Sequence, residues 1–361
     1  MPRLDQLLRT LKETDGSDLH LAAGLAPRIR RSGHLEPVEG WPVLADAELR
    51  ALLREIASGA QWAEYEAQRD LDFAYGLAGV ARYRANYFAQ ENGAGAVFRI
   101  IPERIVSAAE LALPAAVLSL AHLAQGLVLI TGPTGSGKST TLAAIIDEIN
   151  RSYAKHIVTI EDPVEFVHQN QRAVLSHREV GAHTGSFAAA LRAAIRQDAD
   201  VVLVGEMRDR ETISAALTAA EMGLLVFGTL HTNGAAKTID RVIDVFPARE
   251  QGQVRLSLAE SLAGVVSQLL LPRAEGPGRV AVHEILLRTS ALANVIREGN
   301  TPMLRSIIQA GRAQGMQLMD DALFARVGEG QIRPEDAWKK AVEKARFEPL
   351  LPQPQSGASA A

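Results

Sequence analysis

Nine consecutive residues, Gly132-Pro133-Thr134-Gly135-Ser136-Gly137-Lys138-Ser139-Thr140, carry the most specific chemistry in the chain. They fit the spacing G-x-x-x-x-G-K-[ST]. Glycine at these places lets backbone N–H groups close around phosphate oxygens without a Cβ in the way. Lys138 brings a point charge to the outer phosphates, and the Ser139 hydroxyl can ligate Mg²⁺. Thr134, Gly135, Ser136, Gly137, Lys138, Ser139 and Thr140 are therefore the expected contacts to a nucleoside triphosphate. The flanks agree. The apolar run Leu127-Val128-Leu129-Ile130 reads as a buried strand, and Leu142, Ile145, Ile146 and Ile149 follow at helical spacing. A helix N-terminus placed there attracts anions by itself.

Binding is not hydrolysis, which needs an oriented water, a metal and neutralisation of charge. Glu206 follows the apolar strand Val201–Val204 after one glycine, where a carboxylate can act as general base and help position Mg²⁺. The aspartate usual on that strand is absent, since position 204 is valine, and Asp198 and Asp200 lie at the strand's far end. Glu161, Asp162 and Glu165 form a second acidic group behind the strand His156–Ile160, with Pro163 fixing the turn. Like charges beside a phosphate site are costly unless a cation or a hydrogen-bonding water offsets them; with a cation there, Glu161 joins Ser139 and Glu206 as an expected metal-side oxygen donor. His231 ends a further strand, where it can sense the γ-phosphate or a carboxylate. Arg82 and Arg84 alternate with Ala81, Tyr83 and Ala85 and so share one strand face; Arg99 sits in the next apolar strand. Forked guanidiniums suit phosphate oxygens. They lie far in sequence from the phosphate loop, and action in cis or from a neighbouring subunit are both open.

The elements that must hold these residues form an α/β pattern. Strands are expected at Leu127–Thr131, His156–Ile160, Val201–Val204 and Leu224–Thr229, alternating with helices, the signature of a mostly parallel sheet. Each ends at one of the chemical stretches, and open parallel sheets bind ligands at that edge. Residues 1–103 read as a small α+β domain with an antiparallel sheet, including a helix Ala47–Ala57 capped by Asp46. Residues 104–114 read as a linker, 115–272 as the nucleotide core opening with a helix Ala115–Ala124, 273–350 as a strand followed by helices, and 351–361 as a disordered tail. The net charge of −4 advertises no nucleic-acid partner. Absence of cysteine excludes disulfides and thiolate zinc sites. No apolar stretch is long enough to span a bilayer, and the N-terminus lacks the pattern of a secretory signal.

Three of these stretches carry a resemblance. Glu161-Asp162-Pro163-Val164-Glu165-Phe166 resembles the aspartate box of secretion ATPases, Val204-Gly205-Glu206-Met207-Arg208-Asp209 their atypical Walker B, and Gly228-Thr229-Leu230-His231-Thr232-Asn233 their histidine box. Arg178-Glu179-Val180-Gly181 with His183-Thr184 is also similar. Within that superfamily the chain resembles the PilT-type pilus retraction ATPases, from about residue 3 to 350: Asp15 to His20 is similar to their opening motif and Val295-Ile296-Arg297-Glu298-Gly299 to their C-terminal one. The extra N-terminal domain and four-cysteine zinc insertion of pilus-extension and type II secretion ATPases are not expected here. The resemblance implies a RecA-like P-loop ATPase core, a smaller N-terminal PAS-like α+β domain and a helical C-terminal region. It implies Glu206 as catalytic carboxylate, Glu161 as second acid, His231 as sensor, and Arg84 and Arg99 as arginines reaching the nucleotide. It further implies a homo-hexamer using ATP and Mg²⁺, placed in the cytoplasm against the inner membrane. There it would act on a platform protein, with a paralogous retraction ATPase as a further partner. The alternatives are a pilus assembly or type II secretion ATPase, an accessory retraction ATPase paralogue, a regulatory nucleotide-binding protein with little turnover, and a nucleic-acid translocase.

Overall fold

The alternating runs and the continuous apolar runs fold into two sheets of different kind. The computed structural model describes residues 3–31, 33–102 and 104–351, and the expected tail 352–361 lies outside them. The chain forms two units: one holds the described residues up to Ile105 together with Asp162–Val167, the other Val106–Glu161 and the chain from His168 on.

The first unit carries β1 (Asp18–Ala22), β2 (Arg28–Arg31), β3 (His34–Pro37), β4 (Asp70–Leu77), β5 (Ala81–Gln90) and β6 (Gly93–Ile101). They form one antiparallel sheet in the order β3-β2-β1-β6-β5-β4. Period-two alternation decides its faces. Ala81, Tyr83, Ala85 and Tyr87 of β5 are buried, with Leu4, Leu8, Leu49 and Leu53 of the helices Arg3–Glu13 and Asp46–Arg54 in the same cluster. The buried phenols find acceptors there: Tyr83 donates to Leu8 O (2.8 Å) and Tyr87 to Leu53 O (3.1 Å). Arg82 and Arg84 point to the other face. One expected cap moves. The helix begins at Asp46 and is capped at Ala45, whose N–H donates to the Glu48 carboxylate (3.1 Å). Asp46 instead accepts from Ala94 N (2.7 Å), a tertiary bond that outcompetes local capping.

The second unit carries β7 (Gly126–Thr131), β8 (His156–Glu161), β9 (Val174–Glu179), β10 (Val201–Val204), β11 (Leu225–Leu230), β12 (Leu262–Pro272) and β13 (Arg279–Leu287). The order is β13-β12-β7-β11-β10-β8-β9, parallel throughout except for the β12–β13 hairpin. A parallel sheet is covered on both faces, so its strands read as continuous apolar runs. On β7, Leu127 and Leu129 join one core cluster, with residues of the helices Phe187–Ala194, Arg210–Glu221 and Ala235–Asp244. Val128 and Ile130 join the other, with Leu142, Ile145 and Ile149 of the helix Lys138–Ser152. The helix expected at Ala115–Ala124 is shorter: one α turn, Ala115–Leu118, passes into a 3₁₀ turn, Ser119–His122. C-terminal helices Ser290–Glu298, Leu304–Ala310, Met319–Gly328 and Pro334–Lys340 follow β13. Buried Asp320 ties the last segment down by accepting from Val342 N (2.9 Å) and Glu343 N (2.7 Å). No helix among the described residues is long and apolar enough to cross a membrane.

Candidate active site

Because β7, β11, β10 and β8 are parallel neighbours, their carboxyl ends share one edge of the sheet. The first delivers the phosphate loop. Gly132, Gly135 and Gly137 have φ of +143°, +78° and +85°, values that side-chain-bearing residues rarely adopt. The helix Lys138–Ser152 starts directly behind them, with Ser139 and Thr140 in its first turn. Ser136 is buried, while Thr134 and Gly135 stand exposed at the loop's crest. Lys138 Nζ donates to the carbonyls of Gly132 (2.9 Å) and Pro133 (3.1 Å), so its ammonium is folded back along the loop's own rim.

Glu206 arrives one glycine beyond β10. The register pairs Val204 with Ile160, so Gly205 lies level with Glu161 at the end of β8. Gly205 N donates to Ile160 O (2.8 Å), and a Cβ at Gly205 would lie 3.3 Å from Glu161 Cα. Glycine is thus what lets these two strand ends approach. The turn is pinned from β11 as well: Thr229 Oγ1 donates to Gly205 O, and Met207 N donates to Thr229 O (2.9 Å).

His231 joins the acid to the loop. Its Nε2 lies 2.9 Å from Glu206 Oε1, and its Nδ1 lies 3.5 Å from Thr134 Oγ1. A carboxylate only accepts, so Nε2 carries the proton; in the neutral ring Nδ1 then accepts from the Thr134 hydroxyl. Arg208 Nε also binds the Glu206 carboxylate. The sequence-predicted Glu206, His231 and Thr134 are therefore brought together. Glu161 stands beside them at the end of β8, while Asp162 and Glu165 belong to the first unit. Asp200 lies at the opposite end of its strand, where it accepts from His156 N (2.8 Å).

Arg84 and Arg99 are direct cross-strand partners on the first unit's sheet. Arg84 Nε lies 3.6 Å from Asp72, and Arg99 Nε donates to Asp18 (2.7 Å). Burial pushes the Asp18 carboxyl up, but the Ser17 hydroxyl and the Arg99 guanidinium outweigh it and hold Asp18 below the usual carboxylate range. Each arginine is thus oriented by an acid of its own sheet.

Three residues with a part here have no counterpart among the expected ones: Arg208 on the carboxylate of Glu206, Thr229 under Gly205, and Gln268, which touches the phosphate loop from β12. Arg208, two residues after Glu206, and Thr229, two before His231, lie within stretches singled out in the sequence, whereas Gln268 does not. No group of three His, Asp or Glu able to hold a metal ion occurs among the described residues. A magnesium ion bound with a nucleotide takes most of its oxygens from phosphate and water. The hard oxygen donors Ser139, Glu161 and Glu206 fit that limited demand.

Comparison with known proteins gives the family of the chain. Residues 81–337 match the family described as type II/IV secretion system protein. The type IV pilus retraction ATPase PilT of Pseudomonas aeruginosa is 48% identical over 338 residues, 94% of this chain and 98% of that protein. A twitching motility protein of Neisseria gonorrhoeae is 48% identical over 93% of this chain and 89% of its own length. A crystal structure of the pilus retraction motor PilT with bound ADP superposes with a TM-score of 0.89 at 41% identity, covering 97% of this chain and 100% of the other. The chain belongs to the type II/IV secretion system ATPases, among the relatives of the retraction ATPase PilT.

Proposed function

We propose that the chain is a motor that hydrolyses ATP to drive type IV pilus retraction, and with it twitching motility. The observation that carries this is the near end-to-end likeness to PilT, joined to a site in which loop, acid and histidine meet at one sheet edge. ATP binds with its phosphates in the Gly132–Thr140 loop, Lys138 swinging from the loop carbonyls to the outer phosphates. Ser139, with Glu206 and Glu161, would hold Mg²⁺, which when bound would supply charge neutralisation at the phosphates. Glu206 takes the proton of the attacking water. His231 links that carboxylate to Thr134 and so registers whether the γ-phosphate is present. Arg84 and Arg99 neutralise phosphate charge from the first unit. Six copies form a ring, as the resemblance to the retraction ATPases implies, and heterologous contacts that close leave no open edge. The ring works in the cytoplasm at the inner membrane, against a platform protein and alongside a paralogous ATPase.

Glu206→Ala tests the assignment. ATP turnover is expected to fall at least about 100-fold with nucleotide binding retained, and cells carrying the variant as their only retraction ATPase keep surface pili that do not retract. Retraction at the normal rate in such cells would refute the role. Loss of surface pili on deleting the gene would point to assembly instead.

A further inference from the structure

The strand beside β7 presents a polar residue where the apolar pattern has no use for one. β12 runs parallel to β7, and the last registered pair is Ser267 with Thr131. Gln268 is therefore level with Gly132, the first residue of the phosphate loop. Its side chain is 2% exposed and nonetheless well satisfied. Nε2 donates to Ser136 O (2.6 Å), Oε1 accepts from Thr141 Oγ1 (2.8 Å), and His283 Nε2 lies 3.2 Å from Oε1. A carbonyl can only accept, so the contact with Ser136 fixes which end of the amide faces the loop.

We infer that Gln268 is a positioning residue for the phosphate loop: it sets the direction in which the loop's N–H groups point. The argument is geometric. A trans peptide is planar, and its C=O and N–H point opposite ways. Drawing the Ser136 carbonyl down onto Gln268 aims the Gly137 N–H away from Gln268, towards the open side of the loop. Thr141 lies in the helix that follows, so one amide ties the middle of the loop to the start of that helix. His283, on β13, provides a third point that keeps the amide from rotating. The fit is tight. A Cβ at Gly132 would come within 2.2 Å of Gln268 O, and one at Gly137 within 2.9 Å of Gln268 Nε2. Two glycines of the motif are thus required by this residue beneath them as well as by phosphate above. The same hairpin also steadies the turn after His231. Ser267 Oγ accepts from Gly234 N (3.0 Å) and shares a 2.6 Å hydrogen bond with Thr131, and Glu284 accepts from Ala235 N (2.7 Å).

The inference rests on the loop being the phosphate site, and the experiment separates the two. Binding of a non-hydrolysable ATP analogue is measured on the full chain for wild type, Lys138→Ala, Gln268→Met and Thr141→Val, with turnover kinetics and thermal melts of the same samples. Gln268→Met keeps volume and removes all three hydrogen bonds. It is expected to weaken binding about tenfold and raise KM alike, with kcat changed less than threefold or so. Thr141→Val removes one support and is expected to weaken binding about two- to threefold. A folded Gln268→Met that binds as wild type does would overturn the positioning role while leaving the phosphate site intact, provided Lys138→Ala has lost binding. Equal binding by wild type and Lys138→Ala would overturn the site itself. If Gln268→Met does not fold, Thr141→Val decides: unchanged affinity overturns the inference.

Discussion

At the scale of single residues, the same burial that lets Gln268 and His283 lock together makes the protein sensitive to acid. His283 is buried, and that burial, with Arg326 nearby, lowers its pKa from 6.5 to about 4. His168 is likewise lowered to about 4, by burial first and then by His177, whose ring stacks on it at 6.0 Å. In both cases the folded protein prefers the neutral ring. Between about 6.5 and 4 the unfolded chain binds protons that the folded chain refuses, so stability rises with pH there. The stabilisation is fully present above 6.5 and is lost as pH falls towards 4, at up to about 1.4 kcal/mol per pH unit from each ring. Urea unfolding from pH 7 to 4 is expected to show this slope, and His283→Gln to show a shallower one. Equal slopes in the two proteins would mean that His283 already carries its proton when folded.

At the scale of elements, what was legible depended on whether a local rule governed the segment. The phosphate loop obeys one, since its glycines, lysine and hydroxyl are demanded at fixed spacing. Strands β7, β8, β10 and β11 obey another, being apolar runs that stop at polar loops. β9 obeys neither. Val174–Glu179 has a mixed, half-buried pattern because it is the sheet's edge. β12 was hidden differently: it follows the helix Ala248–Ser261 with no turn residue between, and a buried apolar run is consistent with either element. Gln268 could not be read as part of the site because its partners lie 132 and 127 residues away. Gly205 shows how an element-level contact becomes chemistry. A Cβ there would meet two backbone atoms, Glu161 Cα and Ile160 O, both at 3.3 Å, and neither can swing aside as a side chain would. Gly205→Ala should therefore part the ends of β8 and β10 by a few tenths of an ångström. Misplacement of this order costs about tenfold in kcat, while the untouched loop should bind nucleotide within about twofold of wild type. Unchanged kcat would show that Glu161 and Glu206 tolerate a looser spacing.

At the scale of the whole molecule, the proposed chemistry is divided between the two units. The loop, Glu206 and His231 belong to one, and Arg84 and Arg99 to the other. A ring whose subunits lend arginines to their neighbours makes a prediction that a self-sufficient subunit does not. Glu206→Ala spoils the core and spares the arginines, whereas a chain carrying both Arg84→Ala and Arg99→Ala does the reverse. Each alone is expected to hydrolyse ATP at under about a hundredth of the wild-type rate. If the arginines act on a neighbour, co-assembling the two restores sites that pair an intact core with intact arginines. With random order in a closed ring, about a quarter of the sites qualify, so recovery of up to that fraction is the expected outcome, read as phosphate release together with particle mass by light scattering. If the arginines act within their own chain, every site in the mixture stays defective and no turnover returns however large the assembly. A mixture that forms the ring and stays inactive would therefore remove the shared-site mechanism while leaving the nucleotide site and its acid in place.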